Sequence, residues 1–388
     1  MKRANSLLVL ILSLAIVAES RGQRQIVNND VITVDVRKSY SSKKELILQD
    51  FMDVEYIALE TNDDFLNQGY VEDIGKEIII VGNRIDINDG DIFVYDRTGK
   101  ALRKINRKGQ GGEEYTYMMS ITLDEENDEI FVSDIMTRKI IVYDLYGKYK
   151  RSFKPKEGTL SYNVVFNYDR DNLICYDRFN KETPFFLVSK QDGSITKEIK
   201  IPFKEKILLR AINSEGLMRA PGEHRSIIPF QGKWLLLEQS ADTVYTFLPD
   251  YSLLPIIVRT PPIQSMNPEV ILNLRLLSER YYFMETVKNE FNFSTGTGFP
   301  KTHMMYDAKE KAFGGYIIYN GDYSSKKEIY LSMGRPVNHE IESWYLLEAY
   351  QLVESYKKGE LKEGKLKEIA ATLDPEDNPV IMLIKHKK

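Results

Sequence analysis

The feature that most constrains the fold is a repeat in the first half of the chain. The segments "DIFVYDRTGK" and "KIIVYDLYGK" share one pattern, and Tyr95 and Gly99 of the first lie 48 residues before Tyr143 and Gly147 of the second. A weaker third copy, "NLICYD" followed by "FFLVSKQDGSI", places Gly193 another 46 residues along. Periodic units of about 40–50 residues with several strands each are typical of propeller blades.

Each unit has a clear local chemistry. The runs "IFVY" and "IIVY" are apolar on both faces, which indicates strands covered by neighbouring sheets. The Tyr-Asp-x-x-Gly-Lys segment predicts a hairpin turn, because Asp can bond backbone groups two residues on and Gly accepts a left-handed conformation. One such sheet has no cover for its two apolar faces, so the units must pack against one another.

The count of units predicts an all-β fold, a six-bladed β-propeller with seven blades as the upper limit. Ring closure requires a strand near the N-terminus to complete the last blade. Either "VITVDV" (31–36) or "VEYIALET" (54–61) can pair with "VIMLIK" (380–385) near the C-terminus. Such closure removes the free sheet edges that favour aggregation.

A change of period near the C-terminus predicts a short helical insertion in the last blade, at about 340–373. The segment "HEIESWYLLEAYQLVESYKKG" has apolar residues at near-helical spacing from Ile341, and Gly359 is a plausible stop. The segment "KLKEIAATL" repeats that spacing at Leu366 and Ile369. We interpret both as helices within the blade, not as a second domain.

The N-terminus predicts export. Lys2 and Arg3 precede the apolar run "LLVLILSLAIVA", and small residues allow cleavage after Ser20 or after Gly22. We therefore predict a signal peptide at 1–22 and a propeller domain at 23–388, with an uncleaved anchor as the alternative and no transmembrane segment in the mature chain. The only cysteine, Cys175, is far from the cleavage region, so we expect a periplasmic or secreted protein that is not a lipoprotein.

Few residues suggest catalysis or a cofactor. Cys175 lies in an apolar run and is expected to be a buried small hydrophobe. The four histidines show no metal-ligand spacing, so we predict no metal, no cofactor and no catalytic residue. The loop "DINDGD" (86–91) fails the EF-hand register, which favours an acidic hairpin tip over a loosely held calcium ion. The net charge of −4 is spread along the chain, so no nucleic-acid partner is expected.

The segment "KGQGGEEY" is the strongest candidate for a ligand contact. A phosphate loop needs a third glycine before a helix, but Glu114 stands at that position and no helical period follows. The segment joins two repeats, so we interpret it as an inter-blade corner first and as a ligand contact at the propeller mouth second. The candidate binding residues are Gly109, Gln110, Gly111, Glu114 and Tyr115.

The same segment carries a resemblance to a known family. "GQGGEEY" resembles the G-Q-G-P-G-E-[YF] crossover of exported six-bladed β-propellers from Bacteroides-like bacteria, and departs from it at Gly112 and Glu113. "ALET", "DTVY" and "EDNPVIMLIK" are similar to other parts of that family. The resemblance implies an NHL- or TolB-like propeller fold and export. It implies no established activity and transfers no catalytic residue.

Two functions are consistent with this reading. The first is an exported propeller that binds a protein, peptide or glycan at one face of the ring, since a rigid scaffold with variable loops suits binding. The second is a hydrolase or lyase, which would bring several acids, histidines or a metal together in the central channel. A purely structural partner in an envelope complex is a third possibility. We expect binding rather than catalysis and leave catalysis open.

Overall fold

The computed structural model describes the residues 31–83, 89–155, 159, 161–222, 224–331 and 334–387. Residues 32–388 form one compact unit. The predicted signal peptide lies outside the described residues, so the boundaries at 22 and 23 remain predictions.

Blades 1 to 3 are four-stranded antiparallel sheets built from consecutive strands. Their strands are Tyr70–Ile74, Ile78–Gly82, Asp91–Asp96 and Ala101–Asn106 in blade 1; Met118–Asp124, Glu129–Asp134, Lys139–Asp144 and Tyr149–Phe153 in blade 2; and Val164–Asn167, Asn172–Tyr176, Phe185–Ser189 and Ile195–Ile199 in blade 3. These blades are the three sequence repeats. Cys175 is fully buried in the second strand of blade 3, as predicted.

Blades 4 and 5 each receive an additional strand from the N-terminal part of the chain. Their own strands are Ile227–Phe230, Lys233–Leu236, Thr243–Phe247 and Leu253–Thr260 in blade 4, and Val270–Leu277, Tyr281–Lys288, Lys301–Asp307 and Ala312–Asn320 in blade 5. Ile32–Asp35 pairs in parallel with the outer strand of blade 4, and Lys43–Ile47 pairs in parallel with that of blade 5. The segment "VITVDV" therefore does not close the ring.

Blade 6 closes the ring with strands from both ends of the chain. Its sheet contains Ile341–Leu347, Val380–His386 and Met52–Ala58, in that order. Met52–Ala58 pairs antiparallel with Val380–His386, which confirms the predicted partnership of "VEYIALET" with "VIMLIK".

The innermost position of blade 6 is only thinly occupied. The outer strand Met52–Ala58 ends at the rim of the ring from which the chain crosses to blade 1. Ala58 pairs with Val380, and Val380 pairs with Leu347, so all three residues lie at that rim. The strand Ile341–Leu347 thus runs toward that rim. The innermost strands of the other blades run away from the rim, so Ile341–Leu347 corresponds to the second strand of a blade, counted from the axis. The innermost position is occupied by residues 334–337. In the described part of this segment there is one isolated β-bridge, between Arg335 and Trp344.

The helical insertion is shorter than predicted. Two helices, Ala349–Lys357 and Lys365–Ala370, lie between the last two strands of the chain. The predicted helical start at Ile341 is wrong, because Ile341–Leu347 is a strand paired with Val380–His386. Its first four residues are all buried, and periodicity alone does not distinguish such a strand from a buried helix.

Short elements occupy the remaining loops. The two-residue strands are Ala211–Ile212, Met218–Arg219, Phe291–Asn292, Thr297–Gly298 and Lys327–Glu328, and the 3-10 helices include Leu48–Asp50, Glu125–Asn127 and Ile263–Ser265.

The core consists of apolar clusters between adjacent blades. Clusters of buried side chains lie between blades 1 and 2, 2 and 3, 3 and 4, 4 and 5, and 5 and 6. A sixth joins blade 6 to blade 1, where Ile381 and Leu383 share a cluster with Ile79 and Phe93. Each sheet is therefore covered on both faces, and the six-bladed fold is confirmed.

The turn glycines fix the spacing between blades. Gly99, Gly147 and Gly193 have φ of 88°, 80° and 75°. A Cβ on Gly147 would lie 2.6 Å from Cγ2 of Ile105, which belongs to the outer strand of blade 1. Asp144 Oδ1 accepts hydrogen bonds from the backbone N–H groups of residues 146 and 148, both at 2.9 Å. The predicted turn chemistry is confirmed, and each turn also packs against the preceding blade.

Candidate functional site: the axial cavity

The six blades surround an axial cavity of about 770 Å³. Every blade contributes to its wall: Tyr70–Asp73, Met119–Ile121, Asn163–Phe166, His224–Ile227, Arg275, and Arg335–Val337 with Trp344–Leu347. This volume lies in the range of small-ligand pockets.

The cavity extends sideways between blades 5 and 6. Asn320 and Tyr323, from the end of blade 5, line this branch together with Met382 of blade 6. The branch follows from the thin inner position of blade 6, which leaves the strand Ile341–Leu347 close to the axis. At the mouth, Tyr330 is 65% exposed.

A buried ion pair connects blade 4 to blade 6. Arg225 Nη1 donates to Glu342 Oε1 at 2.9 Å, and Arg225 Nη2 donates to the Gly334 carbonyl at 2.5 Å. Arg225 Nε and Glu342 Oε2 are buried and have no hydrogen-bond partner. Burial raises the pKa of Glu342 to about 7, although Arg225 acts to lower it. The pair is therefore incompletely satisfied beside the cavity.

A second polar network lies in blade 5. Arg275 Nη2 donates to Glu285 Oε1, and Asn273 lies beside them on the inner strand. His224 Nδ1 is 2.5 Å from Asn273 Oδ1, and its Nε2 is 3.1 Å from the Leu237 carbonyl oxygen. Burial lowers the pKa of His224. Both ring nitrogens are engaged, so His224 holds blades 4 and 5 together and is poorly placed to act as a base.

Two hydroxyl groups in the wall have no hydrogen-bond partner. They belong to Tyr345 of blade 6 and Ser120 of blade 2, and both oxygen atoms are buried. Burial raises the pKa of Tyr345, so the phenol stays protonated and can donate. A Cβ on Gly334 would lie 2.7 Å from Tyr345 Oη, which shows how closely the backbone packs there.

The opposite wall, in blade 1, is acidic. Glu72 and Asp73 line the cavity there. Asp73 Oδ2 accepts the Leu123 N–H and its Oδ1 accepts the Ile74 N–H, both at 2.8 Å. Burial raises the pKa of Asp73 to about 7, and the nearby carboxylates of Glu72 and Glu125 add to this rise. The cavity thus has arginines on blades 4, 5 and 6 and acids on blade 1, and Lys327, Glu328 and Glu348 also line it.

Comparison with known proteins identifies the fold family. Residues 22–339 match a family described as a 6-bladed beta-propeller. The chain belongs to this family.

Solved structures agree with that assignment. A protein from Bacteroides fragilis that is described as exported is 15% identical, with 92% of this chain and 100% of that chain covered and a TM-score of 0.58. A member of the duf4221 family from Bacteroides vulgatus is 11% identical, with 87% and 99% covered and a TM-score of 0.49. The likeness to the Bacteroides fragilis structure shows the fold. No curated protein matches the sequence.

Within this family fold, the candidate residues predicted from the sequence form a corner. Gly109, Gln110, Gly111, Glu114 and Tyr115 lie in the crossover from blade 1 to blade 2, and none belongs to the cavity wall described above. The Tyr115 hydroxyl accepts the backbone N–H of residue 107 at 2.9 Å and donates to the carbonyl of residue 90 at 2.6 Å. Glu114 Oε2 accepts the Gly111 N–H at 2.7 Å. Ligand contact by this corner remains a prediction.

Sequence reasoning missed Arg225, Glu342 and Tyr345. Arg225 lies two residues before the apolar strand Ile227–Phe230, and Glu342 is the second residue of "IESWYLL". A charged residue inside an apolar run was the available signal, since charged side chains are seldom buried without a partner. The helical reading of that run concealed it.

Two further expectations concern cations and membranes. In the described part of the chain, no group of three or more His, Cys, Asp or Glu side chains is placed to hold a metal ion. The loop 86–91 lies partly outside the described residues, so loose calcium binding there is untested. None of the described helices is long and apolar enough to cross a membrane.

Proposed function

We propose that the protein binds a peptide or glycan, free or as part of a larger protein, in the axial cavity. The observation that supports this is the cavity at the axis, about 770 Å³ in volume, whose wall comes from all six blades. Arg225 and Arg275 are among the polar side chains of that wall. A concave pocket of this size with a few polar groups is the usual form of a ligand site.

The rest of the cavity wall suits an organic ligand. Apolar and aromatic side chains such as Val164, Phe166 and Leu346 line it between the polar groups. Tyr330 at the mouth offers a face on which a sugar ring or an apolar side chain can stack. Pockets of this kind combine apolar walls with a few directed polar groups.

The proposed location of binding is outside the cytoplasm. The N-terminal signal-like segment supports export to the periplasm or the medium, and the Bacteroides fragilis neighbour is described as exported. We therefore expect the ligand among peptides and glycans available in that compartment.

The test is to fill the cavity. The chain without residues 1–22 is screened by calorimetry against oligosaccharides and peptides, and each ligand found is tested on Val164→Trp. Val164 is partly exposed in the cavity wall, so the larger ring should occupy ligand space and weaken binding at least about tenfold. Leu102→Trp is the matched control, because Leu102 is 42% exposed on the outer strand of blade 1. Equal affinity of both variants would contradict binding in the cavity.

A hydrolase or lyase with its site in the central channel is the second candidate. Glu342 favours it, because a carboxyl group with a pKa of about 7 and an unpartnered oxygen can give or take a proton near neutral pH. Arg225 beside it could stabilise a developing negative charge. Mass spectrometry of each bound ligand after incubation tests this: Glu342→Gln should stop turnover and keep binding. If the wild-type chain leaves every ligand intact, this candidate is wrong.

A further inference from the structure

The mouth of the axial cavity lies at the crossover rim, the rim at which the chain crosses from one blade to the next. Lys327, Glu328 and Tyr330 line the cavity, are exposed, and belong to the crossover between blades 5 and 6. Glu348, also exposed in the wall, directly follows the strand Ile341–Leu347, which ends at that rim. A ligand therefore enters the cavity from the crossover rim.

The opposite end of the axis is filled by the chain where it enters the second strand of blade 6. Asn338 Nδ2 donates to the Ile74 carbonyl of blade 1 at 3.0 Å. Glu342 Oε1 accepts the Leu277 N–H of blade 5 at 3.3 Å, in addition to the hydrogen bond from Arg225 of blade 4. A single segment of blade 6 is thus bonded to three other blades at this end of the axis.

Aromatic contacts close the same end of the ring. The ring of His339 lies 4.7 Å from that of Trp234, and the ring of His386 lies 5.3 Å from that of Phe230. Both contacts join blade 6 to blade 4, which are not neighbours in the ring, and both partners in blade 4 are buried. In the part of the chain that the structure describes, the cavity is therefore a blind pocket and not a channel through the ring.

A blind pocket restricts how a polymer can bind. An internal stretch cannot pass through, and a loop must bring two lengths of chain through the mouth of a cavity that has the volume of a small-ligand site. We infer that the ligand is a peptide whose terminal segment binds in the pocket, while the rest of its chain leaves past Tyr330 at the crossover rim. This inference rests on the proposed function and specifies the ligand class.

The accessible part of the wall favours a peptide over a glycan. Met119, Val164, Leu346 and Leu347 line the pocket and are partly exposed. Apolar side chains of a peptide gain free energy when they leave water to pack against such aliphatic groups. A sugar would bury hydroxyl groups there, which costs free energy unless each hydroxyl finds a hydrogen-bond partner.

The test presents random heptapeptides on one carrier protein in three formats: at its free N-terminus, at its free C-terminus, and in a surface loop with both ends fixed. The chain without residues 1–22 selects binders from each library. Calorimetry then compares every selected sequence in its own format and in the other two. Transfer of a sequence from the free end to the loop should weaken binding at least about tenfold, since burial of one apolar side chain accounts for that ratio.

Each binder is also measured on Val164→Trp, with Leu102→Trp as the control. Sequences that bind equally well in the loop and are weakened by Val164→Trp would overturn recognition of a chain end but not binding in the cavity. Failure of all three libraries to yield a binder would overturn the peptide, and the oligosaccharides would then decide on the cavity. Binders that Val164→Trp leaves unaffected would contradict the proposed function itself.

Discussion

Blades 1 to 3 and blades 4 to 6 solve the same packing problem in different ways. The first three are consecutive four-stranded sheets with Asp-Gly turns at regular spacing. The other three take strands from the N-terminal segment, and blade 6 has a thin inner position. The cavity branch and the unsatisfied Arg225 pair lie in this second half. All six blades contribute to the cavity wall, and the irregular half adds the side branch and the Arg225–Glu342 pair.

Two buried cations illustrate the difference. Lys190, in the first half, donates to Asp124 Oδ2 and to the carbonyls of residues 169 and 170, at 2.6, 2.6 and 3.3 Å. Its three donors are all used. Arg225, in the second half, keeps Nε without a partner beside the cavity. The two pairs differ in how completely the cation is satisfied, although each leaves one carboxylate oxygen, Asp124 Oδ1 or Glu342 Oε2, without a partner.

Removal of the satisfied cation should have the largest effect on stability. Lys190→Met leaves the Asp124 carboxylate buried without its cation, and breaking a buried pair in this way costs about 3–5 kcal/mol. Urea denaturation measures the free energy of unfolding. Lys326→Met is the control, because the Lys326–Glu45 pair is well exposed and should contribute little that is measurable. Equal midpoints for the two variants would mean that the Lys190 pair does not hold blades 2 and 3 together.

A turn glycine in the regular half should have the next largest effect. Gly147→Ala forces a side chain into the left-handed region and places its Cβ 2.6 Å from Ile105, so we expect a loss of about 2–3 kcal/mol. Gly112→Ala is the matched control, since nothing lies within 4 Å of a Cβ there. Thermal denaturation of both variants measures the difference. An unchanged melting temperature for Gly147→Ala would contradict the role of the turn in spacing the blades.

The first half was predictable because local chemistry and tertiary structure agree there. Apolar runs, Asp-Gly turns and the period of the repeat all indicate the same blade, so the turn of Asp144 and Gly147 follows from the sequence. Blade 6 was harder. Its strand Ile341–Leu347 is buried by partners far away in the chain, and its apolar pattern fits a helix equally well. The cavity residues come from all six blades, and nothing in one sequence brings Arg225 and Glu342 together.

The corner between blades 1 and 2 allows a smaller test of scaffold against site. Tyr115→Phe removes a hydroxyl that bridges a backbone N–H and a carbonyl, and leaves both backbone groups without that partner. We expect a loss of about 1–2 kcal/mol in urea denaturation and unchanged affinity for cavity ligands. Tyr345→Phe is the counterpart in the second half and should leave the stability unchanged, because its hydroxyl has no hydrogen-bond partner. Weaker ligand binding by Tyr115→Phe would instead support the crossover as a contact at the mouth.

The smallest expected effect is a difference in pH dependence between two buried glutamates, Glu129 and Glu342. Burial acts to raise the pKa of Glu129 in blade 2, but hydrogen bonds from Arg151 and Lys150 outweigh it and the net pKa is lowered. Its stabilising contribution is therefore present at neutral pH and is lost as the pH falls through its folded pKa. Glu342 behaves in the opposite way. Its pKa is raised to about 7, so its contribution is present at low pH and is lost as the pH rises through 7.

The change Glu342→Gln should remove that loss. Between pH 6 and pH 8 the wild-type chain should lose about 1 kcal/mol of stability that the variant does not lose, because ionisation of the carboxyl group is then impossible. Urea denaturation of both chains at the two pH values gives the difference, and titrations common to both cancel. Glu129→Gln is the control, since its contribution should be constant over this interval. Parallel pH profiles for the wild type and Glu342→Gln would mean that Arg225 fully compensates Glu342.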